Sequence, residues 1–379
     1  SEANYYELDV ERVLEGSAAV ERLFLPFIVR SSERGSSETG LPPWTPLPSI
    51  PSAAGEFAGA WAEVLAPETY PAGMAVPVVV WMRDGQGRRG VNGVSRAAGQ
   101  PDLVIRRGVG SVLLANAAGE AELSYRLSLG GFSTNLSLVL EPAPAWTTQA
   151  GTLPADTTWP AHSRIRLSGL IIPAGLTLII EEGTVIQMAP GAEIHVAGTL
   201  RTRGRPRNPV VFAPALQAEP WGGIELRDPG ARLELAHTIL TGGGADPNWF
   251  NAGSNGSSHR SEQPILYGSN GARMSVTDSA LIRGAGQAAH GENAFIEFTR
   301  TLIQGFTSGG QFNGGSLSLT ESAAIEFPSD DSRFADDDND ALYLTGGAHS
   351  LTRSLVGWAK DDGIDAGSGS AGSVRVVDC

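Results

Sequence analysis

The segment AFIEFTRTLI (294–303) contains alternating apolar and polar residues, followed by Thr301 and then by the apolar pair Leu302 and Ile303. Alternation of this kind, which runs here from Ile296 to Thr299, is typical of a β-strand with one buried face. The pattern recurs from ARLELAHTIL (231–240) to SVRVVDC (373–379), and each copy has a small residue after the alternating part. These aligned small residues are Thr238, Ser279, Thr301, Ser322, Ser354 and Cys379. The pattern therefore predicts a structure built from repeated short strands.

The spacing of these small residues indicates the kind of repeat. By subtraction of their numbers, successive members are 41, 22, 21, 32 and 25 residues apart. The two shortest steps set the length of the repeat, and the longer steps contain loops such as 244–263. A repeat of this length without a helical pattern is typical of a β-solenoid, in which equivalent residues of stacked coils form columns. We expect residues 150–379 to form one solenoid with the small residues in an interior column.

The segment before these repeats carries a family resemblance. It reads SRIRLSGLIIPAGLTLIIEEGTVIQ (163–187), then GTLRTRG (198–204) and PWGGIELRD (220–228). These phrases resemble the opening coils of right-handed parallel β-helix proteins of the pectate-lyase-like superfamily. With the later repeats, the resemblance covers about residues 150–379. It implies a right-handed, single-stranded parallel β-helix.

Residues 65–145 have a different character. They contain β-rich segments, including VPVVVWM (76–82) and EAELSYRLSL (120–129), that are separated by turn clusters. Short strands at this spacing are typical of a β-sandwich. The phrase TYPAGMAVPVVVWMRDGQGR (69–88) resembles bacterial immunoglobulin-like modules, which implies a spacer or adhesion role. We interpret residues 1–64 as an N-terminal segment that ends in a linker rich in Ser, Gly and Pro. The predicted fold is thus all-β, an Ig-like β-sandwich followed by the β-helix.

Composition limits the classes of partner. The formal net charge of −14 argues against nucleic acid, because binding to phosphates needs a basic surface, and it suits a surface that binds cations. No apolar run is long enough for a membrane-spanning segment. The only cysteine is Cys379, so no internal disulfide and no cysteine-based metal site is expected. The chain begins with Ser and its last strand stops within a repeat, so we expect further domains and coils of the same longer chain.

Aspartates concentrate in DDDNDALYLTGG (336–347) and again in AKDDGIDAGSG (359–369). In the solenoid register Asp340 and Asp361 lie about one coil apart on the same edge. The arrangement resembles the polygalacturonase family, in which an Asn-Thr-Asp motif lies one coil below a Gln-Asp-Asp motif. That resemblance implies that Asp340 and Asp361 serve the attacking water and that Asp362 donates the proton. Here Lys360 replaces the Gln, and no Thr precedes Asp340.

Two further interpretations of the aspartates stay open. Asp336, Asp338 and Asp340 fit the D-x-D-x-D start of a calcium loop, but Ala341 and Gly347 stand where an EF-hand needs Gly and Glu. A looser Ca²⁺ site and a solvated acidic loop are the remaining alternatives. Near the aspartates, Trp358 and Lys360 are candidates for binding substrate, since an aromatic face stacks on a sugar ring.

The leading functional hypothesis is a secreted or cell-surface bacterial protein whose β-helix engages polysaccharide or a cell-surface glycan. One alternative is a structural or adhesive solenoid without ligand chemistry. Another is a polygalacturonase-like hydrolase or lyase that acts on acidic polysaccharide. The sequence leaves open whether the protein is an enzyme.

Overall fold

The computed structural model describes residues 59–250, 261–327, 339–366 and 372–379. These residues form strands and turns without an α-helix, and none of them belongs to a helix that could cross a membrane. Contacts divide the chain into two units, Ser1–Thr45 and Pro46–Cys379. All of the described residues belong to the second unit.

The first eight strands form two three-stranded sheets and one hairpin. They are β1 (Trp61–Leu65), β2 (Thr69–Pro71), β3 (Val76–Arg83), β4 (Gly93–Ser95), β5 (Leu103–Ile105), β6 (Val109–Leu114), β7 (Glu122–Leu129) and β8 (Phe132–Glu141). Strand β3 pairs antiparallel with β1 and β6. Strand β8 pairs antiparallel with β7 and parallel with β2, and β4 and β5 form the hairpin. We call this group the N-terminal strands.

The rest of the described chain passes repeatedly through three stacks of parallel strands, which we call sheets 1, 2 and 3. Two early strands, β9 (Thr147–Thr152) and β11 (Arg164–Ile172), pair in parallel, and β11 continues from sheet 2 into sheet 3. Sheet 1 contains β10 (Thr157–Trp159), β12 (Thr177–Glu181), β15 (Thr199–Arg203), β18 (Arg232–Ala236), β21 (Arg273–Thr277), β24 (Phe295–Thr299), β27 (Ser316–Thr320), β30 (Gly347–Thr352) and β33 (Gly372–Val377). Sheet 2 contains β13 (Val185–Met188), β16 (Val210–Pro214), β19 (Thr238–Thr241), β22 (Ala280–Ile282), β25 (Leu302–Gln304), β28 (Ala323–Phe327) and β31 (Leu355–Ala359). Sheet 3 contains β14 (Ile194–Val196), β17 (Ile224–Leu226), β20 (Pro264–Ser269), β23 (Gln287–Glu292), β26 (Ser308–Asn313), β29 (Tyr343–Thr345) and β32 (Asp365–Ala366).

Within the described residues this arrangement confirms the prediction of an all-β fold with stacked coils, and it is consistent with a parallel β-helix. Alternate residues of each sheet point into one apolar interior, for example Leu317 and Leu319 of β27. The polar residues between them lie on the outer face. Because each strand bonds to the equivalent strands before and after it, the backbone polar groups of one coil are satisfied by its neighbours.

The predicted column of small residues is present at the corner between sheets 1 and 2. Five of its six members, Thr238, Ser279, Thr301, Ser322 and Ser354, are buried, and the sixth, Cys379, is exposed. The backbone N–H of one coil donates to the hydroxyl of the next, for example from Thr301 to Ser322 Oγ at 3.0 Å and from Ser322 to Ser354 Oγ at 3.2 Å. Cys379 takes the same place in the last described coil, where its Sγ accepts from Ser354 N–H at 3.4 Å.

The residue before each member of this column makes the turn of the corner. His237, Asp278, Arg300, Glu321, Arg353 and Asp378 all have positive φ angles, between 45° and 54°. This left-handed conformation is unfavourable for residues other than glycine. The hydroxyl that follows offsets part of this cost by donating to the carbonyl two residues earlier, as Ser322 does to Thr320 at 2.9 Å. The small polar residue thus closes the corner and joins adjacent coils.

The N-terminal strands pack on the outer face of sheet 2. Outward residues of sheet 2, including Ile239 and Ile325, are buried in one apolar cluster with Val78 and Val112 of the N-terminal strands. Sheet 2 is therefore apolar on both faces, as is typical of parallel sheets that are covered on both sides. The domain boundaries at residues 64/65 and 145/150 stay predictions.

Candidate functional site

Sheet 3 carries a column of polar and aromatic side chains on its outer face. Strand pairing places one residue of each coil opposite the next. The column consists of His195, Glu225, Tyr267, His290, Gln311, Tyr343 and Asp365. The residues on either side of these, such as Ile224 and Leu226, belong to the interior cluster, so the column points outward. We call it the sheet 3 column.

At the first end of the column, two carboxylates flank an imidazole. His195 Nε2 lies 3.3 Å from Glu193 Oε2, and His195 Nδ1 lies 3.5 Å from Glu225 Oε2. Burial raises the pKa of Glu225, with the nearby charge of Glu193 adding to this effect and the bond from Arg227 opposing it. The Arg227 Nε donates to Glu225 at 2.8 Å, and Gln263 Nε2 donates to Glu193 at 2.6 Å.

These residues include a possible set of metal ligands. One ligand atom from each of Glu193, His195 and Glu225 lies within 4.8 Å of the others. One imidazole with two carboxylates suits a divalent transition metal. The two nitrogens of His195 face different carboxylates, however, and Arg227 and Gln263 already donate to those carboxylates. Each of the two carboxylates therefore already has a side-chain hydrogen-bond donor from the protein.

An aromatic group covers the middle of the column. Trp249 and Phe250, at the described start of the insertion 244–263, contact Tyr267 with ring centroids 4.9 Å and 5.8 Å apart. The Phe250 ring also lies 4.3 Å from the His290 ring. The Arg227 guanidinium lies over the rings of Trp249 and Tyr267, at 5.0 Å and 4.8 Å. Trp249 and Phe250 are half-buried, so this aromatic wall presents ring surface beside the polar column.

One carboxylate beside the wall is held in its ionised form. The Tyr267 hydroxyl donates to Glu292 Oε2 at 3.1 Å, and His290 Nε2 lies 3.5 Å from Glu292 Oε1. The bond from His290 and, after it, the bond from Tyr267 lower the pKa of Glu292, although burial opposes them. The Glu292 side chain is 47% exposed. It can therefore accept hydrogen bonds from a ligand that lies against the wall.

The predicted aspartates lie at the other end of sheet 3. Asp340 is buried, with 3% exposure, and its Oδ1 accepts the backbone N–H of Asp362 at 3.2 Å. Because Tyr343 pairs with Asp365, the residue that stacks on Asp340 is Asp362. Asp361 lies one position away from that register and is exposed. A shift of one residue along a strand moves a side chain to the other face, so Asp340 and Asp361 are not equivalent positions of adjacent coils.

The remaining predicted site residues fall in different places. Asp336 and Asp338 lie outside the described residues. Trp358 is half-buried at a corner and packs against the cluster that includes the N-terminal strands, with the Arg106 guanidinium 5.3 Å from its ring centroid. Lys360 is half-buried, and its backbone N–H donates to Phe327 O at 3.1 Å. The catalytic, calcium and substrate roles of these residues stay predictions.

Sequence reasoning missed the sheet 3 column and found only its last coils. The sequence signal that could have identified the column is a triplet that recurs in the strands of sheet 3. Each triplet begins with a polar or aromatic residue and ends with a polar one. These triplets read YGS (267–269), HGE (290–292), QFN (311–313) and YLT (343–345). No protein-family model, curated protein or solved structure matches this chain. The functional argument therefore depends on the geometry of sheet 3.

Proposed function

We propose that the protein binds a linear polysaccharide along the outer face of sheet 3. The observation that supports this is the sheet 3 column, which has one polar or aromatic side chain in each coil. His195, Gln311, Tyr343 and Asp365 are partly or fully exposed, whereas Glu225, Tyr267 and His290 are buried. Adjacent coils are separated by roughly 4.8 Å, so a polymer that lies along sheet 3 meets the accessible members of the column and, over the buried ones, the aromatic wall. Aromatic rings supply apolar contact, and carboxylates, amides and phenols bond to hydroxyl groups.

The aromatic wall is the proposed centre of this site. The half-buried rings of Trp249 and Phe250 stand beside Glu292, which is ionised and exposed. A sugar ring that stacks on the wall can donate its hydroxyl hydrogens to this carboxylate. Further along the sheet, Gln311 and Tyr343 are half-buried rather than covered, so they extend the site over the next two coils.

The charge of the site favours a neutral glycan. The exposed Glu292 and the half-buried Asp365 lie on or beside the column, and their negative charges would repel an acidic polymer. An acidic polysaccharide would need a cation between the two surfaces, and Ca²⁺ at Asp336, Asp338 and Asp340 would supply it. Asp340 positions the backbone of Asp362 by accepting its N–H, which supports binding over hydrolysis by this pair.

The wider assignment is part of the same proposal. The coils form a right-handed parallel β-helix of the pectate-lyase-like superfamily, and the N-terminal strands form an Ig-like sandwich. The parallel stacks and the phrases in 163–228 support the first statement, and the two three-stranded sheets support the second. Such a protein would be secreted or displayed on a cell surface, where it would meet extracellular polysaccharides.

The test is calorimetric titration with neutral hexasaccharides of glucose and of mannose, and with hexagalacturonate in the presence and absence of calcium. We expect a neutral hexasaccharide to bind, and hexagalacturonate to bind only with calcium. Trp249→Ala and Tyr343→Ala should each weaken binding at least tenfold. Phe295→Ala is the matched control, because Phe295 is an exposed aromatic residue on sheet 1, at 38% exposure. If no glycan binds, or if Phe295→Ala weakens binding as much, the proposal is wrong.

A further inference from the structure

Two neighbouring coils bring an imidazole and two carboxylates together at the first end of the sheet 3 column. Glu193 directly precedes β14, and His195 is the middle residue of that strand. Residues two positions apart on an extended chain point to the same side. Strand pairing then places Glu225 of β17 opposite His195. One ligand atom from each of these three residues lies within 4.8 Å of the others.

The distances within this group are longer than those of good hydrogen bonds. His195 Nε2 lies 3.3 Å from Glu193 Oε2, and His195 Nδ1 lies 3.5 Å from Glu225 Oε2, whereas N–H···O bonds are roughly 2.7–3.2 Å long. Two atoms that bind one tetrahedral Zn²⁺ at about 2.0–2.2 Å are themselves roughly 3.3–3.5 Å apart. His195 and Glu193 thus already have the separation of two ligands of one ion. Rotation of the imidazole brings the same nitrogen toward Glu225.

The ligands that must adjust are accessible to solvent. The side chains of His195 and Glu193 are 47% and 28% exposed, whereas that of Glu225 is only 3% exposed. Because the ring that contacts Glu225 is itself exposed, its rotation admits an ion from solvent without a change in the core. Three protein ligands leave a fourth position for water, as in open zinc sites.

Gln263 holds one carboxylate in the orientation that a metal needs. Its Nε2 donates to Glu193 Oε1 at 2.6 Å, while His195 faces the other oxygen, Oε2. Gln263 is buried, with 2% exposure, so its position is fixed. Hydrogen bonds of this kind orient the carboxylates of metal sites. Glu193 therefore keeps one oxygen for a metal while the other oxygen anchors the side chain.

Arg227 holds the second carboxylate from the opposite side. Its guanidinium lies over the Tyr267 ring at 4.8 Å, and Tyr267 and His195 pair with Glu225 from the two neighbouring coils. Arg227 thus donates to Glu225 on the side away from His195. Among the described residues it is the one arginine or lysine with a nitrogen within 4.0 Å of either carboxylate. One carboxylate charge is therefore left for a bound cation to balance.

We propose that Glu193, His195 and Glu225 bind one divalent transition metal ion, represented here by Zn²⁺. An imidazole nitrogen and carboxylate oxygens are the ligands that this class of ion accepts. The imidazole selects against Ca²⁺ and Mg²⁺, which prefer sites made of oxygen atoms alone. The proposal concerns the metal alone, so its outcome is separate from that of the glycan titrations.

The test is calorimetric titration of the 379-residue chain with Zn²⁺ and, separately, with Ca²⁺. We expect saturable Zn²⁺ binding that His195→Asn and Glu193→Gln each weaken at least tenfold. The Ca²⁺ titration should be the same for His195→Asn as for the wild type. The matched control is His162→Asn, because His162 is also exposed but has no described carboxylate oxygen within 4.0 Å. It should leave Zn²⁺ binding unchanged.

Anomalous diffraction from crystals grown with Zn²⁺ tests the location of the ion. We expect a peak about 2.0–2.1 Å from one ring nitrogen of His195. Circular dichroism verifies that each variant folds, and the two histidine variants change only exposed side chains. The proposal is overturned if Zn²⁺ gives no saturable heat, if His195→Asn binds Zn²⁺ as tightly as the wild type, if His162→Asn weakens binding equally, or if the ion binds away from His195.

Discussion

His349 is held by the coils in a single neutral form. Its Nδ1 accepts the backbone N–H of Leu317 at 3.1 Å, so the proton of the neutral ring is on Nε2, which donates to Gly346 O at 2.6 Å. The residue is buried, with 3% exposure. Burial lowers the pKa of His349, and the bonds to the carbonyls of Gly346 and Thr345 oppose it only in part. Protonation of Nδ1 would also break the bond to Leu317.

This geometry predicts a pH dependence. An unfolded chain binds a proton at His349 below about pH 6.5, whereas the folded chain does so only at lower pH. The unfolded state then holds more protons, so the free energy of unfolding falls as the pH drops below that value. His349→Asn keeps a donor and an acceptor but cannot titrate. We expect the free energy of unfolding of this variant to fall less than that of the wild type between about pH 7.5 and about pH 5.5. This range brackets the unfolded-state pKa of histidine. Urea denaturation at each pH measures the free energy.

The control for this prediction is His162→Asn. His162 is exposed, and its φ of 60° is one that asparagine tolerates. Its substitution should leave the pH dependence close to that of the wild type. Equal slopes for the wild type and His349→Asn would contradict the assignment of His349 as a buried neutral ring.

At the scale of the element, the corner between sheets 1 and 2 is the unit that repeats. Each copy combines one left-handed residue with one small polar residue whose hydrogen atom bonds to the carbonyl two residues earlier. In four copies, at Ser279, Ser322, Ser354 and Cys379, its oxygen or sulfur also accepts a backbone N–H of the preceding coil. These hydrogen bonds at the corner explain why a small polar residue recurs there while its neighbours vary. A valine at this position would fill the same space without closing either bond.

Ser322→Ala tests the corner. The change leaves the N–H of Thr301 and the carbonyl of Thr320 without the Ser322 hydroxyl. An unsatisfied buried group costs about 1–3 kcal/mol, and we expect a loss of that size in the free energy of unfolding. The control is Ser318→Ala on the outer face of sheet 1, where Ser318 is half-buried and a change within about 0.5 kcal/mol is expected. Equal losses for the two variants would contradict the role of the corner.

How well each column could be predicted from the sequence depends on how regularly its residues are spaced. The corner residues lie at a constant distance from an alternating strand, so their column could be aligned from the sequence alone. The sheet 3 column lacks that regularity, because sequence insertions of different length, such as 244–263 and 328–338, separate its residues from the corner residues. The same irregularity explains why the sequence register joined Asp340 to Asp361, one residue from the position that the strand pairing gives.

Sheet 2 shows a second limit of the sequence. Its strands, such as VVFAP (210–214) and AAIEF (323–327), have apolar residues at successive positions, which indicates burial on both faces. The run of apolar residues in these strands could predict that another part of the protein covers the outer face of sheet 2. It could not identify the covering segment, because an apolar surface specifies no particular partner. The N-terminal strands fill that role through contacts between residues far apart in the chain, for example Arg106 and Glu326, which are 220 positions apart.

For the whole molecule, a polar network within this apolar interface sets the position of the N-terminal strands on the coils. Ser111 Oγ donates to Gln304 Oε1 at 2.6 Å, and Gln304 Nε2 donates to Glu326 Oε2 at 2.5 Å. The Arg106 guanidinium bonds to the other oxygen of Glu326 and lies over the Trp358 ring. The side chains of Arg106 and Glu326 are only 7% and 16% exposed. An apolar surface alone would allow the strands to slide, whereas this network has a single register.

Removal of one partner should therefore destabilise the whole described unit. Arg106→Ala leaves Glu326 buried without its counter-charge, which costs about 3 kcal/mol. The matched control is Arg96→Ala in the same group of strands, because Arg96 and Asp102 pair at 3.2 Å but are 72% and 48% exposed. An exposed pair of this kind contributes less than about 1 kcal/mol. Urea denaturation, followed by tryptophan fluorescence and by circular dichroism, measures both losses.

The double variant Arg106→Ala/Glu326→Ala separates the loss of an attractive pair from the cost of an unpaired buried charge. Without Glu326 no carboxylate is left uncompensated, so the double variant should be less destabilised than the sum of the two single variants. The two spectroscopic probes should also give one shared transition in the wild type, since the N-terminal strands and sheet 2 share a core. Additive losses, or an Arg106→Ala loss no larger than that of Arg96→Ala, would show that apolar contact alone holds the N-terminal strands on sheet 2.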